Sequence, residues 1–327
     1  MTKPVEHLPD GFIQAFHQND AAIRDEVMTG LLAAEARVAP KFLYDALGSK
    51  LFEAICELPE YYPTRTEAAI FARYLPAMAK AIGVGVTLVD LGAGNCAKAP
   101  RLFDVLAPRH YVPVDISADF LRDAVAQLKC RFPDLPITAI SMDFSSAMAL
   151  PDAVGRDRRL FFYPGSSIGN FAPDAALAFL RRLRAACVEG DGGGLLIGVD
   201  LVKDKRLLDA AYDDALGVTA AFNLNLLQHL NALLGADFDV RDWRHRGFFN
   251  VAAGRAEMHL EARRDVCVAW PGGRRRFAEG ELIHTESSYK YTREGFLQLL
   301  EEAGFVASRA WIDERAWFMV CHARAPH

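Results

Sequence analysis

The sequence predicts an α/β fold: a doubly wound parallel sheet with a smaller α+β piece inserted late in the chain. Three observations carry this. A short apolar run breaks at Gly92-Ala93-Gly94, a strand-helix rhythm repeats from residue 87 to about 200, and the pattern changes after Asp200. Alternation of strands and helices places helices on both faces of a parallel sheet.

The run Thr87 to Leu91 reads as a buried strand. Glycines 92 and 94 let the backbone turn tightly and allow a ligand to lie against bare main chain. The next strand, 110–115, ends in Asp115. That is about twenty residues on, where nucleotide-binding α/β folds place the carboxylate that grips ribose hydroxyls. Position 97 is Ala and no third glycine follows, so the loop is shorter than Gly-x-Gly-x-x-Gly. This disfavours a pyrophosphate resting on the helix and favours a smaller adenosine ligand such as S-adenosylmethionine. A Gly-x-Gly by itself is as often a structural turn; the strand before it and the acid after it point to a nucleoside cofactor.

The other elements follow in order. Residues 9–36 read as helical, with Phe12, Ile13 and Phe16 and then Val27, Leu31 and Leu32 at helical spacing. Residues 39–64 read as an ordered loop, because Pro59 and Pro63 exclude a regular helix through the whole piece. Thr66 to Ile82 is helical. A helix near 97–107, the helix Ala118 to Phe132, strands 136–141 and 159–163, helix 173–188 and strand 194–201 complete the rhythm, the last after the turn Gly190-Asp-Gly-Gly-Gly. Beyond it come one or two helices over 205–234, short alternating strands over 237–270, and a turn at Pro271-Gly-Gly. A strand-like segment Gly280 to Tyr291, a helix Phe296 to Ala303 and a last strand Ala316 to His322 finish the chain. Residues 1–200 with 291–327 are therefore expected to form the core domain under an N-terminal cover, and 201–290 a substrate-binding insertion.

Composition excludes several classes. The 327 residues are 51% hydrophobic with a formal charge of −5, enough for a sizeable core and against a nucleic-acid binder, which needs a basic face. Six scattered cysteines without Cys-x-x-Cys read as reduced thiols in a cytoplasmic protein. Nine histidines without ligand spacing give no reason to expect a metal. The N-terminus lacks the apolar segment of a signal peptide, and no run has the length of a membrane span.

Four places can carry chemistry. Asp143-Phe144 after the third strand can hold and cover an adenine; it can equally be a helix N-cap beside a core aromatic. Gly165-Ser-Ser-Ile-Gly-Asn170 follows the fourth strand, at the sheet edge where ligands bind in open α/β folds, although a plain Gly/Ser turn looks the same. Ser166 lacks the flanking pattern of a nucleophile elbow, which disfavours a hydrolase. In Thr285-Glu-Ser-Ser-Tyr-Lys-Tyr, Glu286 and Ser288 share one side of a strand and can bind a polar ring bearing N–H groups; an exposed strand face is the plainer alternative. Tyr61, Tyr62 and Tyr212 are phenols equally suited to a core.

From about residue 37 to the C-terminus the chain resembles the L-histidine α-N-methyltransferases of ergothioneine biosynthesis. The likeness is carried by Lys41-Phe-Leu-Tyr-Asp-Ala-Leu-Gly-Ser-Lys-Leu-Phe, Leu58-Pro-Glu-Tyr-Tyr-Pro-Thr-Arg-Thr-Glu, Gly165-Ser-Ser-Ile-Gly-Asn, Asp200-Leu-Val-Lys-Asp, Tyr212-Asp-Asp-Ala-Leu-Gly-Val-Thr-Ala-Ala-Phe-Asn and Leu233-Leu-Gly-Ala-Asp-Phe-Asp, all in the family's order. The resemblance implies a Rossmann-like methyltransferase sheet and S-adenosylmethionine as cofactor, released as S-adenosylhomocysteine. It implies cofactor binding by Gly92, Gly94, Lys98, Asp115, Asp143, Phe144 and Gly165. Asn170 and Tyr212 would fix the amino-acid backbone groups, and Tyr44, Phe52 and Tyr61 would cover the pocket. Glu286 and Ser288 would recognise the imidazole, with Met258 against the ring. Tyr61 and Asn170 are the candidate catalytic residues. Ala97 stands where an acidic residue is expected, Ser167 where Thr is expected, and Tyr289 and Tyr291 fall where they would reshape the pocket floor.

The expected activity is therefore three methyl transfers to the α-amine of histidine, giving hercynine, by a metal-free cytoplasmic monomer with no nucleic-acid or membrane partner. A same-fold enzyme acting on tryptophan or tyrosine is the alternative, and Glu286 speaks against it because a carboxylate beside an apolar ring is costly. A non-catalytic cofactor-binding regulator is the other alternative.

Overall fold

Gly11, at a φ of +71°, closes a hairpin at the N-terminal end of the computed structural model, which describes residues 6–8, 11–14, 20–145, 148–155, 157–187 and 193–326. The hairpin strands are β1 (Glu6–Leu8) and β2 (Phe12–Gln14). Phe12 and Ile13, expected on a helix, are thus buried in a sheet, and the helix described within the expected stretch is α1 (Asp20–Leu32). Phe16 lies outside the described residues.

After β3 (Ala36–Arg37) and a 3-10 turn over Pro40–Leu43 comes α2 (Ala46–Cys56), inside the stretch read from sequence as loop. Asp45 starts it by accepting the Gly48 N–H at 2.7 Å. The prolines only bound the helices: Pro63 lies in the first turn of α3 (Tyr62–Ile82), where a missing N–H costs nothing.

β4 (Thr87–Leu91) follows, then a 3-10 turn over Ala99–Leu102 running into α4 (Phe103–Leu106), shorter than the helix expected there. β5 (His110–Asp115), α5 (Ala118–Arg131), β6 (Ala139–Ser141), β7 (Arg159–Tyr163), α6 (Pro173–Ala186) and β8 (Gly194–Asp200) continue the alternation. Of the glycine turn before β8, residues 190–192 lie outside the described residues. Then come α7 (Lys205–Tyr212), α8 (Val218–Leu234), β9 (Trp243–Asn250), β10 (Arg255–Ala262), β11 (Val266–Trp270), β12 (Gly273–Phe277) and β13 (Leu282–Tyr289). The chain ends with α9 (Arg293–Glu302), β14 (Val306–Ile312) and β15 (Phe318–Arg324).

These elements form two compact units. The described residues within 1–17, 65–201 and 291–327 make the first, and those within 18–64 and 202–290 the second. Residues 18–64, which sequence reasoning joins to the core domain, thus cluster with the insertion.

The first unit holds a nine-stranded sheet in the order β1-β2-β6-β5-β4-β7-β8-β15-β14. From β2 to β8 the neighbours are parallel, and β15 runs antiparallel between β8 and β14. All five residues of β4 and all five of β7 are buried, because helices cover both faces; this is why such strands read as continuous apolar runs. β14 was not legible in the sequence. It is an edge strand, and Val-Ala-Ser-Arg-Ala-Trp-Ile lacks that run.

The second unit holds the sheet β3-β13-β10-β9 and the hairpin β11-β12. β10 pairs Leu260 with Ile283 and Met258 with Glu286, leaving Thr285 as an extra residue in β13. This bulge lets Ile283 and Glu286, three positions apart, face the same side, as their partners Leu260 and Met258 do.

Candidate active site

The strand order of the first unit reverses at β4, and the chain leaves the carboxyl end of that strand as Gly92 to Cys96, the usual ligand edge of an open α/β sheet. Gly92, Gly94 and Cys96 all have positive φ (+67°, +53° and +56°). The N–H groups of Gly92 and Ala93 donate to the Val114 carbonyl at 2.9 and 3.1 Å, pinning the loop to β5. Asp115 ends β5 and accepts the N–H groups of Gly94 at 2.9 Å and Ser117 at 3.0 Å. Burial pushes its carboxyl up, against the pull of those backbone donors. A Cβ at Gly94 would meet nothing within 4 Å, while one at Gly92 would lie 3.7 Å from the Phe144 ring. Phe144 in turn stands edge-on to Tyr163 at 5.8 Å. Asp143 accepts the Ser145 N–H at 3.0 Å in a local turn.

A residue that sequence reasoning passed over organises the next part. Glu67 on α3 is 1% exposed and accepts Lys98 Nζ at 2.8 Å and the Gly165 N–H at 2.7 Å. Gly198 makes room for it, since a Cβ there would lie 2.3 Å from Glu67 Oε1. The turn it holds is strained: Gly165 and Ser166 have φ of +78° and +64°, and Ser166 Oγ accepts the Asp200 N–H at 2.8 Å. Asn170 closes this turn, half-buried. A Gly-x-Ser-x-Gly spacing does occur, centred on Ser167, but the strained residue is Ser166. Ser167 donates to the Pro164 carbonyl at 3.4 Å, and among the described residues no histidine bonds it. Below the glycine loop, Asp90 is buried and accepts the Tyr111 hydroxyl at 2.8 Å. Burial pushes its carboxyl from 3.8 up to about 7, against the pull of that hydrogen bond and of Lys98.

In the second unit Tyr44, Phe52, Tyr61 and Phe222 form a cluster with ring separations of 5.5 to 6.0 Å. Phe222 was not singled out from sequence; it sits on α8 among other apolar residues. Burial holds the Tyr61 phenol well above 10, and Tyr212, Tyr44 and Glu286 are among the close groups that push the same way. Glu286 and Ser288 are buried and share a face with Met258 and Ala256, their cross-strand partners. Among the described residues nothing hydrogen-bonds the Glu286 carboxylate. Burial therefore pushes it from 4.5 up to about 7, opposed by the Lys290 ammonium. Tyr289 turns to the other face and accepts Arg255 Nη1 at 2.7 Å, and Tyr291 lies in the first unit, edge-on to Phe296 at 5.0 Å. Among the described residues no cluster of three His, Cys, Asp or Glu could hold a metal, and no helix is long and apolar enough to cross a membrane.

The donor set of the first unit fits an adenosine cofactor: an open glycine loop, a carboxylate at a strand end and an aromatic ring beside the loop. With the sheet order, it defines an α/β methyltransferase of the S-adenosylmethionine-dependent class. Residues 23–325 match the family described as histidine-specific methyltransferase, SAM-dependent, and the chain belongs to it. It is 42% identical over 298 residues to the histidine N-alpha-methyltransferase of Mycolicibacterium smegmatis, covering 89% of this chain and 91% of that one. The Mycobacterium tuberculosis protein of the same name is 39% identical, over 91% of this chain and 93% of that one. Ergothioneine biosynthesis protein 1 of Schizosaccharomyces pombe is 28% identical, over 80% of this chain and 35% of that one.

Two outcomes follow from this geometry. Asp115→Ala removes a charge-assisted acceptor worth on the order of 1.5–3 kcal/mol, so calorimetry should show S-adenosylhomocysteine binding weakened about tenfold or more. Binding within twofold of wild type would take Asp115 out of the site. The second concerns stability. Glu286 has a folded pKa of about 7 against 4.5 in the unfolded chain. Its stabilising contribution is complete below pH 4.5 and is lost as pH rises through 7. Asp90 acts in the same sense, whereas His284 and His322, pushed down by burial to about 4, act in the opposite one. Comparing Glu286→Gln with wild type isolates the Glu286 share: denaturant melts of the ligand-free variant should fall less over that window, by on the order of 1–3 kcal/mol. Parallel pH profiles would show that Glu286 keeps an ordinary pKa.

Proposed function

We propose that this chain transfers three methyl groups from S-adenosylmethionine to the α-amine of L-histidine, giving hercynine on the route to ergothioneine. The observation that carries the substrate assignment is the Glu286 carboxylate, 8% exposed and bonded by no described residue, with the Ser288 hydroxyl on the same face. An unpartnered buried carboxylate is costly, and a ring N–H relieves that cost where a purely apolar ring does not. The names of the two histidine N-alpha-methyltransferases and of the ergothioneine biosynthesis protein support the same reading.

The bound cofactor supplies an electrophilic sulfonium methyl, and the protein's part is to bind and orient. Of the first unit's residues, Gly92, Gly94, Lys98, Asp115, Asp143, Phe144 and Gly165 are assigned to the cofactor and Asn170 to the amino-acid backbone groups. Of the second unit's, Tyr212 is assigned to those same groups, Glu286, Ser288 and Met258 to the imidazole, and Tyr44, Phe52 and Tyr61 to the cover. Tyr61 keeps its proton at any working pH, because burial holds it well above 10; it serves as a hydrogen-bonding group for the amine and not as a phenolate base. Only the neutral amine has a lone pair to give, so its proton passes to water before each transfer. The division 1–200 with 291–327 and 201–290 remains our functional division into cofactor and substrate parts. The six free thiols support a reducing cytoplasm, and the net charge of −5 supports a small-molecule substrate over nucleic acid. We assign a monomer.

Mass spectrometry of histidine incubated with enzyme and excess cofactor tests the reading, with the trimethylated betaine as the expected end product. Glu286→Gln should lower kcat/KM for histidine about 5- to 30-fold, the loss of roughly 1–2 kcal/mol from a charge-assisted bond, and leave cofactor binding alone. Accumulation of a monomethyl product alone would limit the activity to one transfer. A Glu286→Gln variant as active on histidine as wild type would make the imidazole assignment of Glu286 wrong and another amino acid the better candidate substrate.

A further inference from the structure

Glu286, Ser288 and Lys290 alternate along one face, and the third of them has no part in the reading above. Lys290 is 7% exposed. Its Nζ donates to the Ser288 Oγ at 2.8 Å and to the Tyr212 Oη at 2.9 Å, and lies 4.8 Å from the centroid of the Tyr212 ring. Its backbone N–H donates to the Gly254 carbonyl at 3.0 Å, which fixes where the stem begins.

An ammonium carries three donors and no acceptor, so each hydroxyl that meets it does so through a lone pair. Neither hydroxyl can then aim its single proton at Lys290. Both must direct it elsewhere. We infer that Lys290 is a specificity-determining positioning residue, which turns the hydroxyl of Ser288 into a donor toward the substrate. The inference rests on the histidine reading and deepens it. The ring subsite then offers one acceptor, the Glu286 carboxylate, and one donor, the Ser288 hydroxyl. That pair matches a neutral imidazole, with an N–H on one nitrogen and a lone pair on the other. Lys290 also opposes the effect of burial on Glu286 and favours its charged, accepting form.

The test compares two ligands on the protein loaded with S-adenosylhomocysteine: histidine and β-(2-thienyl)alanine, whose five-membered ring has the same shape but neither a ring N–H nor a nitrogen lone pair. Calorimetry gives the ratio of their affinities for wild type and for Lys290→Met, which keeps the length and removes the donors. The wild type is expected to prefer histidine, and Lys290→Met to lower that ratio about tenfold or more, mainly by weakening histidine. An unchanged ratio, or equal weakening of both ligands, would reduce Lys290 to a packing role and overturn the inference. A wild type that does not prefer histidine would overturn the histidine reading itself. If Lys290→Met does not fold, Lys290→Leu, which also removes the donors, gives the same readout, with a lowered ratio supporting the inference and an unchanged one refuting it.

Discussion

Taking a carboxylate out of water is expensive unless charge and hydrogen bonds meet it, and each unit of this chain is arranged around one such group. In the first unit Glu67 is met twice, by the Lys98 ammonium and the Gly165 N–H, and so ties the helix α3 to the segment that follows the glycine loop and to the turn after β7. In the second unit Glu286 is not met by any hydrogen bond from a described residue, and only the charge of Lys290 opposes the cost of its burial. The first carboxylate is structural because it is satisfied. The second is not, and it is the one we propose as a binding group.

Around each carboxylate the backbone takes forms that few residues allow. Gly198 has no side chain because Glu67 Oε1 occupies the place of its Cβ, and Ser166 accepts a left-handed conformation where its hydroxyl can hold the Asp200 N–H. In the second unit the bulge at Thr285 does comparable work. The Thr285 hydroxyl donates to the Met258 carbonyl at 3.0 Å, steadying the irregular step. Beyond it Glu286 comes onto the apolar side of the sheet, opposite Met258. A polar pair set on strands is held more firmly than one set on a loop, which suits a site whose contribution is orientation.

What could be read from sequence followed from burial. Strands 87–91, 110–115 and 159–163 lie where their apolar runs put them, because a strand covered on both faces admits little else. β1 and β14 escaped because edge strands carry no such run, and β2, inside the sheet, because it is only three residues long. The helix α2 escaped because Pro59 and Pro63 were weighed as breakers across the whole stretch, although both lie outside it. In the site, glycine spacing and the strand-end carboxylate were legible, as was the pairing of Glu286 with Ser288 at a period of two. The same period also pointed to Lys290, one step further, and was not followed. Glu67 was legible only as part of a motif; its partners at 98 and 165 come together through the fold. The bulge had no local signature at all.

The central claim is that a buried acceptor and a donor held by Lys290 select the neutral imidazole of histidine. Nitrogen-15 NMR of ring-labelled histidine, bound to the protein with S-adenosylhomocysteine, observes those two nitrogens directly. The account predicts one protonated and one unprotonated nitrogen, a single neutral tautomer that persists below the pH at which the free ring takes up its proton. Two protonated nitrogens across that range, or a bound ring that titrates like the free one, would contradict it.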